Sequence, residues 1–362
     1  MIKYPQMCSV MKLLICSLFI ACLPLIGVAQ SCLPGGITLT SQAEIDAFPQ
    51  NYPGCTEIGG NLIVDELMNG DILNVDSLAQ LNFIDGGLII RNNTGITNID
   101  GLSNITAITG SLQVESNSSL LHLHGLSSLS SIVYSCHIDN NDQLEDLIGL
   151  SAINEIPGFF DIEHNDGLLS LQGLDNLSFV GEYFTVEENS SLVSLSGLEE
   201  LDTVGGFYLI NCPIGNLSPL SSLETINGPV LISFLPITEM TGLDALTHLE
   251  SLVLSNLNML TSLGTGLLGI DSVSGNVWIT QNPLLQNMMG LDSLRFIGGN
   301  LQIQHNQVLE SLNGLEQLVD IAGDFQIHDL QMLTSFQGLN ALEFIGGALS
   351  VQQFYPGGCR PY

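Results

Sequence analysis

Residues 173–196 read GLDNLSFVGEYFTVEENSSLVSLS, and much of the chain consists of variants of this stretch. A glycine or its replacement opens each variant at intervals of 24 residues, except for intervals of 22 and 23 on the two sides of Pro219. A fixed period of this length is typical of solenoids, whose units pack against their neighbours, and it predicts about twelve turns here. The opening positions are Ser77, Gly101, Gly125, Gly149, Gly173, Gly197, Pro219, Gly242, Gly266, Gly290, Gly314 and Gly338.

Each unit contains one short strand pattern. Phe184 and Val186, at offsets 11 and 13 from Gly173, alternate with polar neighbours as a half-buried strand requires. The other apolar positions are spaced by three and separated by Gly, Ser, Asn and Asp, which favours tight turns. The sequence therefore predicts a mainly β fold, a parallel β-solenoid.

An asparagine recurs at offset 16, just after the strand. Two structural interpretations remain open: a turn residue that tolerates left-handed backbone, or a buried ladder whose amides bond the neighbouring turn. Eight units carry it: Asn93, Asn117, Asn141, Asn165, Asn189, Asn258, Asn282 and Asn306.

The pattern L-x-x-L-x-x-I…L-x-I-x-x-N resembles a leucine-rich repeat with a Gly-Gly step before the strand. With the opening Cys55-Thr-Glu-Ile-Gly-Gly-Asn-Leu-Ile-Val, it is similar to the receptor L-domain family over residues 32–354. The resemblance implies a right-handed β-solenoid of the leucine-rich-repeat type, as found in growth-factor receptor ectodomains and surface proteins. This chain has more turns than one such domain, so it looks like an extended relative. The step occurs at Ile84-Asp-Gly-Gly, Val204-Gly-Gly, Ile297-Gly-Gly and Ile345-Gly-Gly.

The ends of the chain predict export. Residues 1–29 have the basic start, short apolar core and small residues of a secretory signal peptide, cleaved after Ala29. A lipoprotein signal with Cys22 as the lipidated residue is the alternative. We expect an N-terminal cap at 30–58, the solenoid at 59–354 and a C-terminal segment at 355–362 that is truncated or belongs to a closing cap. These features predict an extracellular or cell-surface protein with no membrane helix in the mature chain, anchored, if at all, by lipid or by a C-terminal module.

The predicted cap contains a short helix between two cysteines. Ser41 and Glu44 have capping-box spacing, so the helix should run to about Phe48. Cys32 and Cys55 bracket it, and in an exported protein this arrangement predicts a disulfide. Cys136 occupies an inward strand position, where a cysteine acts as a small buried hydrophobe.

Charge excludes some partners. Beyond residue 30 the chain has three arginines, no lysine and all 37 carboxylates, a formal charge of 3 − 37 = −34. Such a surface repels nucleic acid and anionic membranes and favours cations or basic partners, although solubility alone would also explain it.

The sequence does not predict an enzyme. It lacks H-E-x-x-H, C-x-x-C and phosphate-loop patterns, and its histidines have no metal-ligand spacing. Enzymes on β-helices that cleave acidic sugars need clustered carboxylates with Lys or Arg, and Arg91 and Arg295 lie about nine turns apart. Hydrolysis of neutral glycans stays open because paired carboxylates are present.

Outward strand positions carry the predicted ligand site. Aromatic residues should form a column at offset 10, widened by apolar residues at offset 12 and bordered by acids. The face suits a protein partner with apolar and basic groups, or a carbohydrate whose rings stack on aromatics. We therefore predict a secreted or cell-surface recognition or adhesion module; a structural stalk and, less favoured, a glycan-active enzyme are the alternatives. The predicted ligand-binding residues are Phe159, Asp161, Tyr183, Phe207, Leu209, Leu231 and Trp278.

Carboxylates also stack at offset 14. Glu115, Asp139, Glu163 and Glu187 occupy this position in four successive units, with Asp161 beside them. Either the column is hydrated, or Ca²⁺ bridges Asp139, Asp161, Glu163 and Glu187. No other cofactor is predicted.

Overall fold

The structure, a computed structural model, describes residues 31–66 and 70–352. The predicted signal peptide and the segment 355–362 lie outside these residues. Within them the chain is a parallel β-solenoid, which confirms the predicted fold class. The largest sheet of the described residues, the main sheet, has fourteen main strands stacked in order. The first belongs to the cap and each of the other thirteen contributes one turn, so the solenoid has one turn more than the twelve predicted. The main strands are Ile37–Leu39, Leu62–Asp65, Leu88–Arg91, Leu112–Glu115, Cys136–Asp139, Phe160–Glu163, Phe179–Glu187, Thr203–Ile210, Pro229–Ser233, Ser251–Ser255, Val277–Thr280, Leu301–Gln304, Phe325–His328 and Leu349–Gln352.

Two-residue strands precede the main strands and also pair in parallel from turn to turn. In the turns of Phe179–Glu187 and Thr203–Ile210, one long strand replaces the separate short and main strands. The short strands are Ser31–Cys32, Glu57–Ile58, Phe83–Ile84, Ala107–Ile108, Ser131–Ile132, Glu155–Ile156, Thr225–Ile226, His248–Leu249, Ser272–Val273, Phe296–Ile297, Asp320–Ile321 and Phe344–Ile345.

Helices are few. The cap has Gln42–Asp46 and Phe48–Asn51, and the Ser41 side chain accepts a hydrogen bond from the Glu44 amide, as the capping pattern predicts. The predicted Cys32–Cys55 disulfide is confirmed. Across the described ranges, no helix is long and apolar enough to span a bilayer. Among the described residues, five 3-10 helices lie at Asp76–Leu78, Asp100–Leu102, His124–Leu126, Ile148–Leu150 and Ser218–Leu220.

The core is one continuous apolar column inside the coil, running from Leu39 to Leu333. The recurring glycine is explained by close stacking of the turns. A Cβ on Gly173 would overlap the backbone carbonyl group of Leu147, and Gly173 also has a φ of +110°. A larger residue at Gly173 would therefore push the two turns apart.

The asparagines form the buried ladder, the second of the two interpretations. The Asn165 side chain donates to the Ile138 carbonyl at 2.9 Å, and its oxygen accepts the Asn141 amide at 3.2 Å. Asn258 is the exception, because it is exposed and Leu257 occupies the ladder position instead. The ladder is thus replaced by Cys212, Leu235 and Leu257 in three consecutive turns.

These three turns also depart from the usual loop length. In a regular turn, the next opening position comes 8 residues after the ladder residue, as at Asn189 (197 − 189). This distance is 7 residues after Cys212 (219 − 212) and after Leu235 (242 − 235). It is 9 residues after Leu257 (266 − 257). The turns of Cys212, Leu235 and Leu257 are called the irregular turns.

Candidate functional site

The acidic column is present on the outward face. Main-strand register places Glu115, Asp139, Glu163 and Glu187 beside one another. Burial raises the pKa of Glu163, and the charge of Asp161 raises it further, with smaller contributions from the stacked Glu187 and Asp139, whereas the charge of His137 lowers it.

His137 and His164 lie among the carboxylates of the column. The His137 ring nitrogens lie 3.6 Å from Asp161 and 4.0 Å from Glu115. The hydrogen bond with Asp161 raises the pKa of His137, with smaller contributions from the surrounding carboxylates, against the lowering effect of burial. Burial also lowers the pKa of His164, but the hydrogen bond with Asp139 and the charges of Asp139 and Glu188 raise it overall.

The structure does not assemble the four residues of the calcium hypothesis. Ligand atoms of Asp139, Glu163 and His164 lie within 4.8 Å of one another, whereas Asp161 and Glu187 fall outside this group. Ca²⁺ prefers oxygen ligands, and both nitrogens of His164 lie 3.1 Å from carboxylate oxygens, of Asp139 and Glu188. This geometry favours a hydrated column whose carboxylates contact histidines, and calcium binding stays a prediction.

Phe207 and Leu209 are not on the surface, so their assignment as ligand-binding residues is wrong. Both are 0% exposed, and Phe207 pairs in register with the inward Phe184. The cause is a shift of one residue between Val180 and Tyr183 relative to the next strand. The unit of Gly197 therefore reaches its first inward strand position after 10 residues (207 − 197), not 11 as in the unit of Gly173 (184 − 173). Tyr208, which the sequence places inward, faces outward.

Apolar side chains nevertheless occupy neighbouring outward positions. Tyr208, Leu231, Val253 and Trp278 lie side by side in register on four consecutive main strands. Trp278, the single tryptophan of the chain, is 39% exposed. With Tyr183, which is 46% exposed, these residues are called the apolar strip.

The two tyrosines of the apolar strip are stacked. Their ring centroids lie 5.2 Å apart with an interplanar angle of 20°. Gly206 makes room for the Tyr183 ring, because a Cβ at this glycine would lie 2.6 Å from Tyr183 Cδ1. Burial, followed by the neighbouring Tyr183 and Glu250, raises the pKa of Tyr208.

The predicted site residues are thus only partly brought together. Leu231 and Trp278 belong to the apolar strip. Asp161 lies outward on the same face, in a turn that carries the acidic column. Phe159 is exposed one unit before Tyr183, and its amide donates to the Ser135 hydroxyl at 3.2 Å. Sequence reasoning missed Tyr208 and Val253. The 22-residue interval and Cys212 in the ladder slot were the available signals that the register changes there.

A groove runs along the edge of the main sheet, where the strands end. Its cavity volume is about 710 Å³. One half is lined by Asp142, Asp166 and Glu188, and the other by apolar residues that include Phe234 and Met259, which are 53% and 49% exposed. This cavity is called the edge groove. Sequence reasoning did not predict it.

Comparison with known proteins supports the predicted resemblance. Residues 54–144 match the family model described as receptor L domain, which confirms that resemblance over this part of the chain and indicates a recognition-type module. No curated protein matches the chain.

Two solved structures are similar in fold class only. An internalin (inlF) from Listeria monocytogenes is 16% identical, with a TM-score of 0.32 over 84% of this chain and 93% of the internalin chain. The TLR13–ssRNA13 complex is 14% identical, with a TM-score of 0.24 over 87% of this chain and 56% of the TLR13 chain. At these values the internalin and TLR13 similarities say nothing about ligand or site.

Proposed function

We propose that this protein is a non-catalytic recognition module, extracellular or on the cell surface, that binds a protein partner through its outward strand face. The apolar strip is the observation that carries the proposal. In the turns that follow it, the same outward position is polar: Gln302 and Gln326 continue the row of Trp278 in register. Stacking of the turns therefore does not require apolar side chains there.

The composition of the strip favours a protein partner. Tyr and Trp are enriched at the centres of protein interfaces, where large rings bury area at low entropic cost. Glu250 lies close enough to Tyr208 to affect its pKa, and the acidic column occupies the preceding turns. A partner with an apolar anchor and flanking Lys or Arg would match both features.

Export is supported by two independent features. The disulfide between Cys32 and Cys55 is typical of proteins that fold in an oxidising compartment. Receptor L domains, the family matched by residues 54–144, are typical of receptor ectodomains. The signal peptide predicted at 1–29 would deliver the chain there.

Carbohydrate is the second candidate ligand, because the stacked rings of Tyr183 and Tyr208 present an aromatic face on which a sugar could lie. A stalk is less well supported, since a spacer needs no apolar strip. In the acidic column Glu115 contacts His137 and Asp139 contacts His164, which gives these two carboxylates a structural role without catalysis.

A retention experiment tests the proposal. Purified protein is immobilised, extracellular proteins are passed over it, and retained proteins are identified by mass spectrometry. The test variant, Leu231→Gln with Val253→Gln and Trp278→Gln, copies the glutamines of the following turns; Gln302→Ala is the matched control.

We expect a protein retained by the wild type and the control to be lost from the triple variant. Equal retention by all three proteins would refute the strand face as the recognition surface. Binding to a glycan array that is lost in the same variant would instead assign the surface to carbohydrate.

A further inference from the structure

The edge groove crosses six consecutive turns, from the turn of Asp142 to the turn of Met259. Neighbouring strands are about 4.8 Å apart, so five steps span roughly 24 Å. An extended peptide advances about 3.3 Å per residue, and about seven residues would fill this length. The groove therefore has the dimensions of a peptide site and lies outside the apolar strip.

The two halves of the groove differ in charge. Asp142, Asp166 and Glu188 lie in three successive regular turns, and their side chains are exposed. His164 also lines this half and contacts Glu188 at 3.1 Å, which leaves Asp142 and Asp166 for a cationic partner. The irregular turns supply the other half, where Pro213, Phe234 and Met259 are partly or fully exposed. An occupant that complements both halves has cationic side chains at one end and apolar side chains at the other.

Phe234 provides the strongest sign that the apolar half has a purpose. It has a φ of +56°, a left-handed conformation in which a bulky residue is strained. The solenoid imposes this conformation at the same position of each turn: Asn211 and Asn256, in the adjacent turns, have φ of +50° and +56°. The other described turns of the coil fill this slot with polar residues, among them Asn, His, Glu and Gln, whereas here a phenylalanine is held half-exposed in the groove. The φ belongs to the coil, and the unusual feature is an apolar ring at a position that is otherwise polar.

We propose that the edge groove binds an extended peptide segment of about seven residues, with Arg or Lys facing Asp142 and Asp166 and apolar side chains facing Phe234 and Met259. The guanidinium groups would pair with exposed carboxylates, and the apolar side chains would cover the Phe234 ring. This is a second site, in addition to the strand face.

Fluorescently labelled heptapeptides test this proposal by anisotropy. The probes contain three arginines, one glycine and three leucines in separate halves, synthesised in both orders, because the groove does not define chain direction. Peptides with glutamate in place of arginine, or serine in place of leucine, are the controls. We expect saturable binding of one of the two probes and at least tenfold weaker binding of both controls.

Two variants locate the binding. Phe234→Asn, which restores the residue type of the adjacent turns, should weaken binding at least tenfold without lowering the melting temperature. Asp142→Asn combined with Asp166→Asn should weaken it by a similar factor and reduce its salt dependence. The triple variant of the apolar strip should bind the probe like wild type, so that this site and the proposed strand-face function can fail separately.

Absence of saturable binding by either probe at about 1 mM would overturn the proposal, since that concentration detects even weak association. Binding that both groove variants leave unchanged would also overturn it, because the peptide would then lie elsewhere on the acidic surface.

Discussion

The regular turns between Asn93 and Asn189 and the irregular turns that follow are built on the same coil but present different surfaces. In the regular turns, outward positions carry carboxylates and histidines over an unbroken asparagine ladder. In the irregular turns Cys212 and Leu235 replace asparagine in the ladder, and the outward positions carry Tyr208 and Leu231. The middle of the apolar strip thus lies in the irregular turns, with Tyr183 and Trp278 in the regular turns on either side.

The difference has a physical basis. An asparagine in the ladder satisfies buried backbone groups of two turns and holds the following loop to one length. Once another residue takes its place, that constraint is removed and the loop can change length: it shortens after Cys212 and Leu235 and lengthens after Leu257. One half of the edge groove lies along these altered loops.

Removing a ladder asparagine should lower the stability of the fold more than any substitution on the outward face. Asn165→Ala leaves the Ile138 carbonyl and the Asn141 amide without their partner, and each unsatisfied buried group costs about 1–3 kcal/mol. We expect a loss of roughly 3 kcal/mol or more in denaturant unfolding. Cys212→Ala, in the same slot of an irregular turn, should cost about 1 kcal/mol, since it removes a small buried group. Equal losses would contradict the distinction between the two kinds of turn.

Phe234→Asn should raise the free energy of unfolding by about 1 kcal/mol, because asparagine tolerates the left-handed conformation better. The reverse change in the next turn, Asn256→Phe, should lower it by a similar amount. Thermal or denaturant unfolding measures both. A loss of stability in Phe234→Asn would show that the ring contributes to packing and is not strained for binding.

The protein should lose stability as pH rises, because of the titratable groups in and around the acidic column. The folded state raises the pKa of His137 and His164 above 6.5, so their contribution is fully present below pH 6.5 and is lost as pH rises through the higher folded values. Glu163, whose pKa is also raised, acts in the same direction from pH 4.5 upward. We expect melting temperatures to fall as the pH rises above 6.5.

Replacing His137 and His164 by glutamine should flatten that fall, and His248→Gln, which removes a side chain bonded to Ser272, is the control. If the melting temperature of the double variant depended on pH as it does in the wild type, the two histidines would not be the cause of the pH dependence.

Chelation should have the smallest effect. Because both ring nitrogens of His164 contact carboxylates and Ca²⁺ prefers oxygen ligands, EDTA should leave the melting temperature unchanged within about 1 °C. A clear decrease, reversed by Ca²⁺, would restore the calcium hypothesis for Asp139 and Glu163.

The structure could be predicted from the sequence in the regular turns but not in the irregular turns. Inward residues such as Phe160 and Phe184, the Cys32–Cys55 disulfide and the acidic column could be predicted, because a fixed period assigns every offset the same environment. Phe207, Leu209 and Asn258 were misplaced because the period alone does not reveal where within a unit a residue is missing. The edge groove could not be predicted, since it depends on loops of different turns meeting in space.

Contact between the apolar strip and a protein partner is tested most directly by site-specific photo-crosslinking. Benzoylphenylalanine is placed either at position 231 in the apolar strip or at position 302 on the polar face beyond it. The partner protein identified in the retention experiment is then added. We expect a crosslinked product from position 231 and little from position 302. Equal products from both positions, or a product from position 302 alone, would contradict recognition through the strip.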